Sequence, residues 1–139
     1  MRFENWERRL NATVRKYERL PLKWGEHDCV LFAAECVHAL TQKDPGLGYR
    51  RTYSDAAGAL RLISEHGGLE SLVETALASV GIVAERIAPT FMQRGDVCLV
   101  ETEGRPALGV CLGSVIAGKS EDGLERRPLS AATVAWAIR

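Results

Sequence analysis

The chain has 139 residues, 46% of them hydrophobic and 26% charged, enough to bury one core without disulfide or metal support. Eighteen basic and eighteen acidic side chains cancel, so no net field draws in nucleic acid or an anionic membrane surface. The segment Met1 to Arg9 is charged and amphipathic, with no signal-peptide core, and no apolar run reaches bilayer-spanning length, so synthesis into a cytoplasm with no membrane partner is expected.

Phe3, Trp6, Leu10, Val14, Tyr17 and Leu20 recur at steps of three or four with Arg and Glu between them, which predicts an amphipathic helix ending at Pro21. The loop Pro21 to His27 then leads into an apolar run, Val30 to Val37. Asp28 stands where an N-cap is needed and Cys29 falls in the first turn of a helix that should reach about Thr41. That position bears on chemistry. Unpaired N–H groups at a helix start stabilise an anion, and the thiolate is the reactive form of cysteine. Cys29 is therefore a candidate nucleophile, while Cys36 reads as core.

Lys43 to Gly48 is turn chemistry, followed by the basic-aromatic link Tyr49-Arg50-Arg51-Thr52-Tyr53. Arg50 and Arg51 could bind a carboxylate or form a solvated loop pair. Ser54 is expected to cap a third helix over Ala56 to Glu65, stopped by Gly67 or Gly68, and a fourth should run from Leu69 to Gly81. Beyond Gly81 the period changes. Ile82–Glu85, Val97–Glu101, Ala107–Leu112 and Val134–Ile138 read as short strands. Glu103 to Pro106 should form a hairpin connection, and Gly113 to Gly123 a second connection. Asp96 reads as a turn residue bonded to backbone amides, and Trp136 as core. Helices followed by an antiparallel sheet make the α+β pattern, with the helices on one side of the sheet. One domain is expected over 1–139: an amphipathic N-terminal helix at 1–20, a helical part with Cys29 at 21–81, and the sheet at 82–139.

Cys29, Cys36, Cys98 and Cys111 contain no C-x-x-C pair and no Cys/His cluster at zinc spacing, so no metal or other cofactor is expected. Cys29 and Cys36 lie about two helical turns apart, on the order of 10 Å, too far for a disulfide.

Three features in order resemble the NlpC-type branch of the papain-like cysteine peptidases: Asp28-Cys29 opening a helix after Trp24-Gly25, then Arg94-Gly95-Asp96-Val97-Cys98-Leu99-Val100, then Leu108-Gly109-Val110-Cys111-Leu112-Gly113. Together with Arg50, Tyr53, Gly67-Gly68 and Ala135-Trp136, they resemble phage and prophage proteins of this type found among tail-assembly proteins. The resemblance covers residues 20 to 139. It implies a papain-like fold, a thiol nucleophile at Cys29, and a peptidoglycan stem peptide or phage tail proteins as partners, with the virion tail as a destination. It also implies a general base at position 107, where this chain has Ala107.

A thiol attacking an amide needs a base within hydrogen-bond reach. His38 lies nine residues after Cys29, on the opposite helical face at about 100° per residue, and His66 reads as an exposed residue at the end of the third helix. His27 is left as the candidate base or orienting group, with Asp28 or a backbone amide at the oxyanion and Trp24, Arg50 and Tyr53 contributing a binding surface. Three functions are compatible with this reading. They are a phage-type NlpC-like domain with residual thiol hydrolase activity, an inactive structural or peptide-binding tail-assembly part, and a thiol acyltransferase or amidase whose substrate supplies the base.

Overall fold

The computed structural model describes residues 2–139. Four helices come first: α1 (Trp6–Glu18), α2 (Cys29–Thr41), α3 (Ala56–Glu65) and α4 (Leu69–Ser79). Six strands follow, β1 (Glu85–Ile87), β2 (Val97–Thr102), β3 (Arg105–Cys111), β4 (Ile116–Lys119), β5 (Leu124–Arg127) and β6 (Ala132–Ala137). They form one open antiparallel sheet in the order β1-β6-β2-β3-β4-β5. The α+β class and the helices-then-sheet order follow the sequence pattern.

The sheet has two unlike faces because side chains alternate along each strand. Val97, Leu99, Leu108, Val110 and Trp136 point into the main core, where Leu10, Val14 and Tyr17 of α1, Phe32, Cys36 and Leu40 of α2, and Leu72 and Leu77 of α4 meet them. The opposite face buries Cys98, Val100, Ile116 and Ala135 under a thinner cover that includes Ile87, Met92 and Ala131. Two single 3-10 turns, Pro89–Phe91 and Leu129–Ala131, supply part of that cover. The helices thus line one side of the sheet, as expected, and α2 is the one that crosses β3 and β4. Cys36 and Trp136 are fully buried, in keeping with their reading as core.

Asp96 is fully buried. It accepts from the amides of Gln93 at 2.8 Å and Ile138 at 3.0 Å, the turn role expected of it. It also accepts from the guanidinium groups of Arg2 at 3.0 Å and Arg139 at 2.9 Å. Both ends of the described chain are therefore fastened to the turn that opens β2.

Several expectations need correction. Asp55, not Ser54, caps α3, accepting from the Gly58 amide at 2.7 Å; its carboxylate is one residue better placed to reach the third helical N–H. The segment Gly113 to Gly123 is not a plain connection, because β4 lies within it and pairs with β5. The first strand starts at Glu85 rather than Ile82. Ile82 is buried against the main core ahead of the sheet. His66 is half-buried rather than exposed, its ring edge-on to Tyr49 with centroids 5.6 Å apart. The hairpin is a two-residue turn in which Glu103 and Gly104 have φ of 51° and 77°, leaving Arg105 and Pro106 inside β3. Positive φ at both central residues matches the right-handed twist of the strands it joins.

Candidate functional site

The start of α2 is shaped by its loop. Lys23 and His27 bridge antiparallel across a tight turn, and Gly25 sits inside it at φ 83°. A Cβ at Gly25 would lie 2.1 Å from the Tyr53 carbonyl oxygen, so no side chain fits there. The Arg51 amide donates to the Gly25 carbonyl at 2.9 Å, which stitches the loop before α2 to the loop before α3.

Asp28 is the N-cap of α2 and is 1% exposed. One carboxylate oxygen accepts from the Leu31 amide at 3.0 Å. The other accepts from the Gly25 amide at 2.8 Å and from the Tyr53 hydroxyl at 2.6 Å. A carboxylate that accepts three hydrogen bonds is an anion held in place, and it repels rather than binds an oxyanion. The expected role of Asp28 at the oxyanion is therefore not supported by its geometry, and capping is what it does.

Cys29 follows in the first turn, partly exposed, with a free thiol. It lines a cleft of about 140 Å³ with Thr102, Ala107, Leu108, Lys119 and Arg127. The cleft lies beside the part of β3 that precedes its pairing with β4, which begins only at Val110↔Ala117. Ala107, at the position where the resemblance implies a base, thus shares the cleft with the thiol and offers no polar atom to it. Burial pushes the Cys29 thiol up to about 11, and the adjacent Asp28 charge adds to the rise. The backbone amides of Leu108, Val30 and Cys29 itself act in the opposite direction, as N–H groups facing an anion do.

The charged side chains of the cleft, Lys119, Glu125 and Arg127, are engaged. Lys119 donates to the carbonyls of Leu20, Ser120 and Gly123 at 2.7, 2.8 and 2.7 Å, using all three ammonium protons. Desolvation lowers its pKa, yet an ammonium so held orders a loop rather than accepting a proton. Arg127 pairs with Glu125 at 3.0 Å.

The structure gathers only part of the predicted site. Asp28, Cys29 and Tyr53 converge. His27 does not join them: its ring stands edge-on to Tyr17 with centroids 6.0 Å apart, and it lines a separate depression of about 460 Å³ with Lys16, Glu35, Arg50 and Arg51. Arg50 Nη2 reaches both carboxylate oxygens of Asp44, at 2.9 and 3.0 Å, so it is a paired loop residue. Trp24 is half-buried in the turn before α2. Thr102, Lys119 and Arg127 went unread, two of them because they come from strands without a clear sequence signal. The Leu108 amide has no side-chain signature at all. Among the described residues no group of three His, Cys, Asp or Glu side chains could hold a metal ion, and no helix is long and apolar enough to cross a membrane.

Residues 1–138 match the model of a family described as a domain of unknown function, DUF6950. No curated protein and no solved structure matches the chain.

Proposed function

The chain belongs to the DUF6950 family, and we propose that it is a papain-like, NlpC-type domain of phage or prophage origin that holds a peptide in the Cys29 cleft without hydrolysing it. One observation carries this reading: a thiol at a helix start opens into a cleft beside a strand, and the carboxylate that lines this cleft, Glu125, is paired with Arg127 rather than free. Ala107 occupies the wall, Asp28 is consumed by three hydrogen bonds, and His27 faces a different depression. Loss of one member of a catalytic triad costs about 10⁴-fold or more in rate, so turnover is not what this arrangement favours. A tail-associated role, with a peptidoglycan stem peptide or a tail protein as the bound chain, follows from the order of the Trp24-Gly25, Asp28-Cys29, Gly95-Asp96 and Leu108 to Gly113 motifs.

A specific observation favours a second reading, thiol acyl transfer. The amides of Leu108, Val30 and Cys29 that ease ionisation of the sulfur would equally stabilise an oxyanion, provided the substrate brings the base. The two separate in one experiment. Titration calorimetry with isolated stem peptides, paired with mass spectrometry of intact peptidoglycan after incubation, should show saturable binding and no new amino termini. Cleavage that disappears in Cys29→Ala would overturn the binding reading, and so would the absence of any binding.

A further inference from the structure

The start of a helix can hold one anion well, since its free N–H groups and dipole serve a single small region. In α2 that place is taken by the Asp28 carboxylate, capped onto Leu31 and held from behind by Gly25 and Tyr53. Cys29 is the next residue. A thiolate there would be a second anion at the same helix end, next to a buried charge.

The backbone amides of Leu108, Val30 and Cys29 act the other way, but the charged and titratable side chains around the cleft and its loop do not offset the Asp28 charge. On β4, the Lys119 ammonium is turned onto three carbonyls. On β5, Arg127 is paired with Glu125. His27, on the same loop, packs against Tyr17. Tyr53, on the loop before α3, gives its proton to Asp28 rather than to the sulfur.

We infer that Asp28 acts as a suppressor of Cys29, occupying the anion seat of α2 so that the sulfur stays a neutral thiol, while the two amides hold the carboxylate in place and the Tyr53 hydroxyl shares part of its charge. This reverses the role that a residue beside a nucleophile is usually assigned. It holds whatever occupies the cleft, because it concerns the resting protein. Burial is the larger cause of the raised thiol pKa, and the Asp28 charge adds to it.

The test is the pH profile of iodoacetamide labelling of the native protein, read peptide by peptide in a mass spectrometer. Cys36, Cys98 and Cys111 are fully buried, so Cys29 is the residue labelled, and Cys29→Ala should abolish the fast labelling. The wild-type midpoint should lie above that of the urea-unfolded chain, near the ordinary value of about 8.5. In Asp28→Asn the midpoint should fall by about one unit, with labelling at pH 8 several-fold faster; a lower pKa also weakens the nucleophile, which holds the gain below tenfold. A midpoint that stays or rises in that variant overturns the inference. So does labelling that speeds up at every pH without a shift in midpoint, the signature of a merely loosened loop. Should Asp28→Asn fail to fold, Tyr53→Phe decides. It leaves the carboxylate with one donor fewer to share its charge, and the midpoint should rise by a few tenths; a midpoint that stays or falls overturns the inference.

Discussion

Asp28 and Asp96 are both buried aspartates in loops that open a regular element, and each satisfies its carboxylate completely, yet their surroundings differ in one respect. Asp96 faces two guanidinium groups as well as two amides. Asp28 faces two amides and a phenol, with no cation. The first charge is neutralised where it sits, and its effect is mechanical. The second is stabilised only by dipoles, which leave its net charge intact for its neighbour to feel. That neighbour is a thiol. The difference teaches that a fully satisfied hydrogen-bond network can still shape the chemistry beside it.

The largest effect separating the two should come from Asp96→Ala. It strands Arg2, whose side chain is only 11% exposed, and frees the two amides at once. Breaking such a buried pair costs about 3–5 kcal/mol, to be read from denaturant midpoints at constant slope. Asp28→Ala should cost less, about 2–3 kcal/mol, as a lost cap plus two unpaired donors, because no charge is left behind. The reverse ranking would break the comparison.

A third measurement uses pH. The Cys29 thiol ionises at about 11 in the folded chain and near 8.5 when unfolded. A folded pKa above the unfolded one means stability that is present in full below pH 8.5 and is lost as pH rises through 11. Cys36, Cys98 and the phenols of Tyr17 and Tyr53 are raised as well, so alkaline unfolding is expected in any case. Cys29→Ala should remove its own share, at most about 3 kcal/mol between pH 8.5 and 11. Identical alkaline limbs for the two proteins would mean that neither burial nor the neighbouring carboxylate raises the Cys29 thiol.

The helices were legible because their signals are local. Asp28 as cap, the apolar run behind it and the end at Thr41 are all carried by short-range chemistry, and α2 has those bounds. The sheet was legible only where strands are buried. Val97 to Val100 is apolar throughout, whereas β5 is Leu-Glu-Arg-Arg with its two middle residues exposed, a pattern shared with any surface loop. The site divides in the same way. That Cys29 begins a helix follows from its neighbours, but the Tyr53 bond to Asp28 joins residues 25 positions apart, and no periodicity encodes it. The direction of the His27 ring was likewise not encoded: it is set by Tyr17 on α1, an element that contacts the loop only after folding. Arg50 could be named as a cation but not as a paired one, because its partner Asp44 is brought back by the turn at Pro45-Gly46.

The smallest expected effect is also the one that isolates the dipole argument most cleanly. Tyr53→Phe removes a single oxygen whose hydrogen bond to Asp28 is 2.6 Å long and leaves the ring to pack as before. The carboxylate keeps both amides, and Tyr53 is only half-buried, so water can take the vacated position. The cost to stability should then be about 1 kcal/mol in thermal or denaturant unfolding, close to that of an ordinary hydrogen bond and well below the loss of either aspartate. A cost as large as that of Asp28→Ala would mean that the phenol, rather than the two amides, holds the carboxylate at the head of α2. In that case the loop carrying Tyr53, and not the helix start alone, would set the position of the charge beside the thiol.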